Sequence, residues 1–191
     1  MENDISLDEM KGIVYRKVGR NLHLFQSIEV LLKHLAVNSK VEGFISQIPA
    51  IVEKRQSEFH KQTMGAVVGS LDKSMASFGA ECTPPDVLDE IWISQSFSVA
   101  SAVNDTETLS DKLSIIISER NHLVHHFYSG LNSQDVNSWR DADCYLDNQR
   151  EKVLPTFEYL RGLVKAHISA GKAIADFLRA EDGARFFELK D

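Results

Sequence analysis

The chain has 191 residues, 43% of them hydrophobic, which is enough for one domain with a substantial core. Its formal net charge of −7 disfavours a protein that coats nucleic acid non-specifically, because such binding depends on neutralising phosphates, although one small basic cleft remains compatible with it. The opening residues are acidic and polar, unlike a signal peptide, and no apolar run approaches the roughly 18–20 residues that cross a bilayer, so we expect a cytoplasmic protein without membrane contact.

Residues 7–37 carry the clearest helical pattern in the chain. Apolar side chains recur there at spacings of three, four and seven residues, at Val14, Val18, Leu22, Phe25, Ile28, Leu32 and Leu35. This pattern predicts a helix with an apolar seam broad enough to face a core or a partner helix. The polar pair Asn38 and Ser39 predicts its end.

The next two segments are less regular. Residues 44–78 have helical periodicity, with Pro49 suited to a first helical turn and Gly79 suited to a C-terminal cap. Residues 80–105 have no clear period. Within them, residues 91–98 fit either an extended piece or two helical turns.

Two further helices are predicted in the second half. One runs from about Thr106 to Tyr128, with Ser129–Gly130 ending it. The last runs from about Trp139 to Ala180, and Pro155 should kink or divide it. Because no repeat or linker interrupts the pattern, we expect residues 1–191 to form a single-domain, all-α bundle of about five helices.

Histidine forms the most informative cluster. Three of the seven histidines, His122, His125 and His126, follow directly on Arg120 and Asn121. On an α-helix, Asn121 and His125 lie one turn apart on one face, and His122 and His126 form a second such pair. Arg120 lies about 140° round from His125, so the guanidinium must bend toward the same cleft or meet a histidine of another chain.

This set of groups suits phosphoryl transfer to or within RNA. A neutral imidazole exchanges protons near physiological pH. A guanidinium binds phosphate with two hydrogen bonds and stabilises charge on the non-bridging oxygens. The 2′-hydroxyl of RNA is a built-in nucleophile, so no metal-bound water is needed.

The segment Arg120-Asn121-His122-Leu123-Val124-His125, followed by His126-Phe127, resembles the Arg-Asn-x-Leu-Val-His-x-Tyr signature of the HEPN superfamily. Its members are small helical bundles, commonly dimeric, and many are metal-independent endoribonucleases of toxin–antitoxin, phage-defence and CRISPR systems. The resemblance implies a HEPN-like fold with Arg120, Asn121 and His125 as site residues. His126 also satisfies the family spacing between the arginine and the histidine.

The resemblance has one departure. Phe127 stands where the family has a tyrosine, and Tyr128 follows one residue later. Taking His126 as the family histidine restores His-x-Tyr at the cost of one inserted residue. In one branch of the family a nucleotidyltransferase antitoxin modifies that tyrosine, so the departure weakens the case for this regulation more than the case for RNA cleavage.

The histidine cluster is also compatible with two simpler roles. Cations at the end of a helix stabilise its dipole, which requires no function. A metal site would use His122 and His126, which have helical ligand spacing, but we expect Glu119 to point elsewhere and no cysteine lies nearby. The two cysteines, Cys82 and Cys144, are expected to be free thiols. We therefore expect no metal or cofactor.

The sequence as a whole predicts a metal-independent endoribonuclease of toxin–antitoxin or phage-defence type. RNA, a second copy of the chain in a homodimer and a cognate antitoxin are the expected partners. His125 would act as general base or acid, Arg120 would hold the scissile phosphate, Asn121 would orient either of them, and His126 would assist. The alternative is a non-catalytic HEPN-like helical protein that binds RNA or protein, since a fold does not by itself define an activity.

Overall fold

The computed structural model describes residues 5–76, 90–97 and 108–180. These ranges contain five α-helices and two strands: α1 (Leu7–Asn38), β1 (Lys40–Phe44), α2 (Ile48–His60), α3 (Met64–Ala76), β2 (Trp92–Ser96), α4 (Leu109–Asn121) and α5 (Val136–Arg179). Helix dominates, so the prediction of an all-α bundle of about five helices is confirmed. The predicted cap at Gly79, Cys82 and most of residues 80–105 lie outside the described residues.

Helix α1 is the central element of the bundle. It begins with a reciprocal cap, in which the Ser6 hydroxyl accepts from the Glu9 N–H at 3.3 Å and the Glu9 carboxylate accepts from the Ser6 N–H at 3.0 Å. Its predicted seam is buried at Val14, Val18, Phe25, Ile28, Leu32 and Leu35. The seam packs chiefly against α5, and α2 and α3 also contact α1.

The helical stretch predicted for residues 44–78 is divided in two. Helix α2 ends at His60, and α3 starts at Met64. Thr63 supplies the new start, since its hydroxyl accepts from the Ala66 N–H at 3.4 Å. Pro49 lies in the first turn of α2, as predicted.

A two-stranded antiparallel sheet lies outside the helical pattern. Strands β1 and β2 pair with Lys40 opposite Ser96 and Phe44 opposite Trp92. The extended alternative is thereby confirmed for Trp92–Ser96. The sequence pattern does not predict β1. Gly43 has a φ of +153°, and a Cβ there would lie 2.8 Å from Ile51 Cδ1, so the strand requires glycine at this position.

Helix α5 is 44 residues long and continues through Pro155 without a break. Division at Pro155 therefore does not occur, and a change of helix direction there stays a prediction. Buried side chains such as Leu146, Val153 and Leu160 join residues of α1 to α4 in one hydrophobic core. Among the helices in the described ranges, none is both long enough and apolar enough to cross a membrane.

Two buried amides connect three of the helices. Asn21 of α1 and Gln149 of α5 are only 1% and 2% exposed. The Asn21 amide nitrogen donates to the Leu146 carbonyl at 2.8 Å and to Gln149 Oε1 at 3.1 Å. Gln149 Nε2 donates in turn to the Glu119 carbonyl of α4 at 3.1 Å. Since buried polar groups need partners, this chain of hydrogen bonds fixes the relative register of α1, α4 and α5.

Replacing Asn21 with alanine should therefore destabilise the fold. The Leu146 carbonyl and Gln149 Oε1 would lose a buried donor, at an expected cost of about 1–3 kcal/mol in the free energy of unfolding. Urea denaturation of Asn21→Ala measures this cost. The matched control is Asn148→Ala on the exposed side of α5, which should stay within about 0.5 kcal/mol of wild type. Equal effects for the two variants would contradict the role of the buried pair.

Candidate functional site

The HEPN-like segment spans a change in helix type. Helix α4 starts at a Thr108–Asp111 capping box and ends at Asn121, well short of the predicted Tyr128. A π-helical turn, His122–His126, follows, in which the Phe127 N–H donates to the His122 carbonyl five residues back. A 3₁₀ turn, Phe127–Gly130, completes the segment. Single π-helical turns are rare and occur frequently at functional sites.

The π-helical turn places its apolar residues inside and its histidines outside. Leu123 and Phe127 are buried, at 2% and 7% exposure. His122, His125 and His126 are all exposed. The turn holds one residue more than an α-helical turn, so each residue rotates by less than 100°, and the directions of Arg120 and His125 differ from those of a straight α-helix.

Arg120 and Asn121 form the first part of the candidate site. Arg120 is partly exposed, and its guanidinium donates to Asn121 Oδ1 at 3.1 Å. Among the described residues, Arg120 forms no ion pair with a carboxylate. Together with Glu29 of α1, Met64 of α3 and Val124, it lines a cavity of about 280 Å³. That glutamate pairs with Lys33 at 2.7 Å. The guanidinium is therefore held by a neutral amide, which leaves its charge available to an anion.

The second part lies on the other side of the turn. A cavity of about 290 Å³ opens between the turn and the start of α5, lined in part by His122, His126, Phe127, Ser138, Asp141 and Tyr145. The ring centroids of His122 and His126 are 6.2 Å apart. Two imidazoles thus face one space that a small substrate group can enter.

His125 belongs to neither of these two parts. Its ring centroid is 6.3 Å from that of His126, and it lines neither cavity. In the part of the chain that the structure describes, no hydrogen bond joins Arg120 to His125 or His126. The structure thus brings Arg120 to Asn121 and His126 to His122, while Arg120 and His126 face different cavities of one chain.

Sequence reasoning missed a polar cluster beside the turn. Tyr145 Oη lies 2.8 Å from His122 Nδ1 and 3.3 Å from Glu119 Oε2. Gln149 Nε2 donates to Tyr145 Oη at 2.9 Å, and Lys152 pairs with Glu119 Oε1 at 2.5 Å. The expectation that Glu119 points away from the histidines is wrong, because it reaches His122 through Tyr145. The only signal in the sequence is a polar pair four residues apart, Tyr145 and Gln149, within an apolar helical stripe.

The charges in this cluster are fixed by its hydrogen bonds. Burial raises the pKa of the Glu119 carboxyl, but hydrogen bonds from Lys152 and Gln149 outweigh it, so the pKa lies below its usual value. Burial, together with the nearby negative charge of Glu119, raises the pKa of the Tyr145 phenol to about 12. At neutral pH Glu119 is therefore a carboxylate and Tyr145 keeps its proton.

The histidines do not sit within a larger set of metal ligands. Among the described residues, no group of three histidine, cysteine, aspartate or glutamate side chains is arranged to hold a metal ion. His122 and His126 keep their helical spacing, but His122 Nδ1 is occupied by Tyr145. Cys144 is a free, exposed thiol. The site therefore offers imidazole, guanidinium and amide groups for acid–base and anion-binding chemistry.

A scan against protein-family models, a search of curated proteins and a search of solved structures find no match to this chain.

The pKa of the Glu119 carboxyl is lower in the folded protein than in the unfolded chain, where it is about 4.5. Ionised Glu119 should therefore stabilise the fold fully above this pH, and the stabilisation should be lost as the pH falls through the pKa of the folded state. The free energy of unfolding of wild type should thus exceed that of Glu119→Gln at neutral pH, and the difference should shrink below about pH 4.5. Chemical denaturation across pH measures it. Lys152→Met should reproduce part of the effect, and parallel stability curves for wild type and Glu119→Gln would contradict it.

Proposed function

We propose that the protein is a HEPN-like, metal-independent endoribonuclease. One observation carries the proposal: three exposed histidines lie on a single π-helical turn, directly after an arginine whose guanidinium is held by Asn121 rather than by a carboxylate. An Arg–Asn pair followed by exposed imidazoles supplies the acid–base and anion-binding groups for RNA cleavage by the 2′-hydroxyl. The resemblance of residues 120–127 to the HEPN signature supports the same conclusion.

In this proposal the 2′-hydroxyl attacks the neighbouring phosphorus. Arg120 binds the non-bridging oxygens and stabilises the charge that builds on them. Asn121 orients the guanidinium by accepting from it. His125 acts as general base or general acid, with His126 as an auxiliary group. The products are a 2′,3′-cyclic phosphate and a 5′-hydroxyl.

We further propose that the active form is a homodimer. Arg120 and His126 line different cavities of one chain, so a single chain offers an incomplete site. A two-fold axis beside the turn would place the Arg120–Asn121 pair of one protomer near the histidines of its partner, because a two-fold interface brings the same surface of both copies together. Such a ribonuclease in the cytoplasm needs control, and a cognate antitoxin protein is the expected partner within a toxin–antitoxin or phage-defence system.

A second candidate function is a non-catalytic helical protein that binds RNA or another protein. The observation in its favour is the separation of Arg120 from His125, which share no hydrogen bond in the described part of one chain. The last part of α5 also presents exposed apolar side chains, including Ile168, Ile174 and Phe177, as a binding protein would. Cleavage measurements separate the two functions.

Purified protein should cleave a mixed RNA substrate in excess chelator. Arg120→Ala should reduce the rate about 10²–10³-fold through loss of charge stabilisation. Replacing the histidine that transfers the proton, by His125→Ala or His126→Ala, should reduce the cleavage rate by about 10²–10⁴-fold. The matched controls are Arg161→Ala and His23→Ala, which replace the same residue types at exposed positions away from the turn.

The products and the substrate provide further checks. A 2′-deoxy substitution at the scissile position should block cleavage, because it removes the nucleophile. Cleavage that requires a divalent ion would overturn the mechanism. Intact RNA after incubation with wild type, across varied sequences, would favour the non-catalytic function.

The dimer has a separate test. Sedimentation at micromolar concentration should show a dimer. Mixing equal amounts of Arg120→Ala and His125→Ala protein should restore about one quarter of wild-type activity. The reason is that half of the randomly formed dimers contain one chain of each variant, and one of the two shared sites in such a dimer is complete. A site built within one chain would stay inactive in the mixture. A monomer in sedimentation would also contradict the proposal.

A further inference from the structure

The cavity beside the π-helical turn contains an imidazole that the HEPN-like motif leaves without a role. His122 lines it with His126, yet only His122 is bonded to the protein interior, through Tyr145. The His122 side chain is exposed, so the ring is accessible from the cavity while its Nδ1 is held from behind. An imidazole anchored at one nitrogen and open at the other is arranged for proton transfer.

The hydrogen bonds of Tyr145 determine which nitrogen of His122 carries the proton. The phenol oxygen has one hydrogen to donate and two lone pairs to accept with. Gln149 Nε2 donates to it at 2.9 Å, which uses one lone pair. Glu119 is a carboxylate that only accepts, so the phenol hydrogen goes to Glu119 Oε2 at 3.3 Å. The remaining lone pair then accepts from His122 Nδ1–H at 2.8 Å.

This is the one arrangement that satisfies all three contacts of the phenol at once. If Tyr145 donated its hydrogen to His122 instead, no hydrogen would remain for a hydrogen bond between the phenol and the Glu119 carboxylate. The raised pKa of Tyr145, which burial and the Glu119 charge cause, agrees with a phenol that keeps its proton. In this arrangement the proton of neutral His122 is on Nδ1, and Nε2 is the free base.

We propose that His122 is a second acid–base residue of the reaction, and that Tyr145 and Glu119 are its positioning residues. This inference rests on the proposed ribonuclease function. His122 Nε2 takes the proton from the 2′-hydroxyl as the bond from that oxygen to phosphorus forms. The bond from phosphorus to the 5′-oxygen breaks, and a motif histidine returns a proton to that oxygen. His125 has that role in the proposed function, and His126, which shares the cavity with His122, assists it.

Glu119 and Tyr145 have a physical role in this step. When His122 takes a proton it becomes a cation, and its Nδ1–H bond to Tyr145 is strengthened by the carboxylate behind the phenol. Lys152 and Gln149 keep that carboxylate ionised and fixed in place. The chain from histidine to tyrosine to glutamate therefore orients the base.

The first experiment reads the geometry without RNA. Nitrogen-15 spectra of the imidazoles, at about pH 8.5 where an unperturbed histidine is neutral, should show His122 with its proton on Nδ1. Tyr145→Phe should release it to a mixture of tautomers, and the matched control Tyr159→Phe on the same helix should not. A proton on Nε2 in wild type, or a tautomer insensitive to Tyr145→Phe, would overturn the positioning.

The second experiment measures RNA cleavage in chelator. His122→Ala should lower kcat by about 10²–10⁴-fold, and added imidazole should restore part of the rate. Tyr145→Phe and Glu119→Gln should lower kcat by roughly 10–100-fold with little change in KM, because the imidazole is no longer held in position for proton transfer.

The two experiments keep the possible failures apart. Full activity in His122→Ala, alongside inactive Arg120→Ala, would overturn the role of His122 and leave the proposed function standing. A wild-type protein that cleaves no RNA would overturn the proposed function and the catalytic role of His122 together, whatever the tautomer shows. A locked tautomer combined with loss of kcat in both His122→Ala and Tyr145→Phe is the result that supports the inference.

Discussion

The buried amide pair of Asn21 and Gln149 is the constraint on which the rest of the structure depends. Apolar side chains fill the seam between α1 and α5, but such packing tolerates more than one sliding register. A buried amide does not, because an unpaired donor or acceptor is costly. Asn21 bonds to α5, and Gln149 bonds to α4, so three helices are aligned at one level. The apolar seam determines which helices pack together, and the Asn21 and Gln149 side chains determine how those helices are aligned along their axes.

The same alignment places the polar cluster of the site. Gln149 lies one turn beyond Tyr145 on α5 and donates to both Tyr145 and Glu119. Nearer the surface, the Asp147 carboxylate of α5 accepts hydrogen bonds from Lys17 and Arg20 of α1, so these ion pairs stabilise the outer edge of the contact between α1 and α5. Two of the basic residues of α1 are thereby paired with α5, which reduces the unpaired positive charge on α1. At the candidate site, Arg120 is the basic residue that forms no ion pair with a carboxylate among the described residues.

The elements that sequence predicted well are those whose pattern is local. The seam of α1 repeats over four turns and more, and Pro49 acts on the first turn of its own helix. The break at residues 61–63 and strand β1 were not predictable in this way. A five-residue strand obtains its hydrogen bonds from a partner far along the chain, and a short turn between two helices leaves the apolar period almost unchanged.

For the candidate site, the sequence by itself determined which groups are present: Arg120, Asn121 and three histidines within seven residues, at the end of a predicted helix. Tertiary structure decided how these groups are divided between two cavities, and it added Tyr145 and Glu119, because a π-helical turn and a contact between α4 and α5 are not encoded in residue spacing. Local periodicity fixes which side of a helix a residue occupies. Only the packing of one helix against another determines which residues that side contacts.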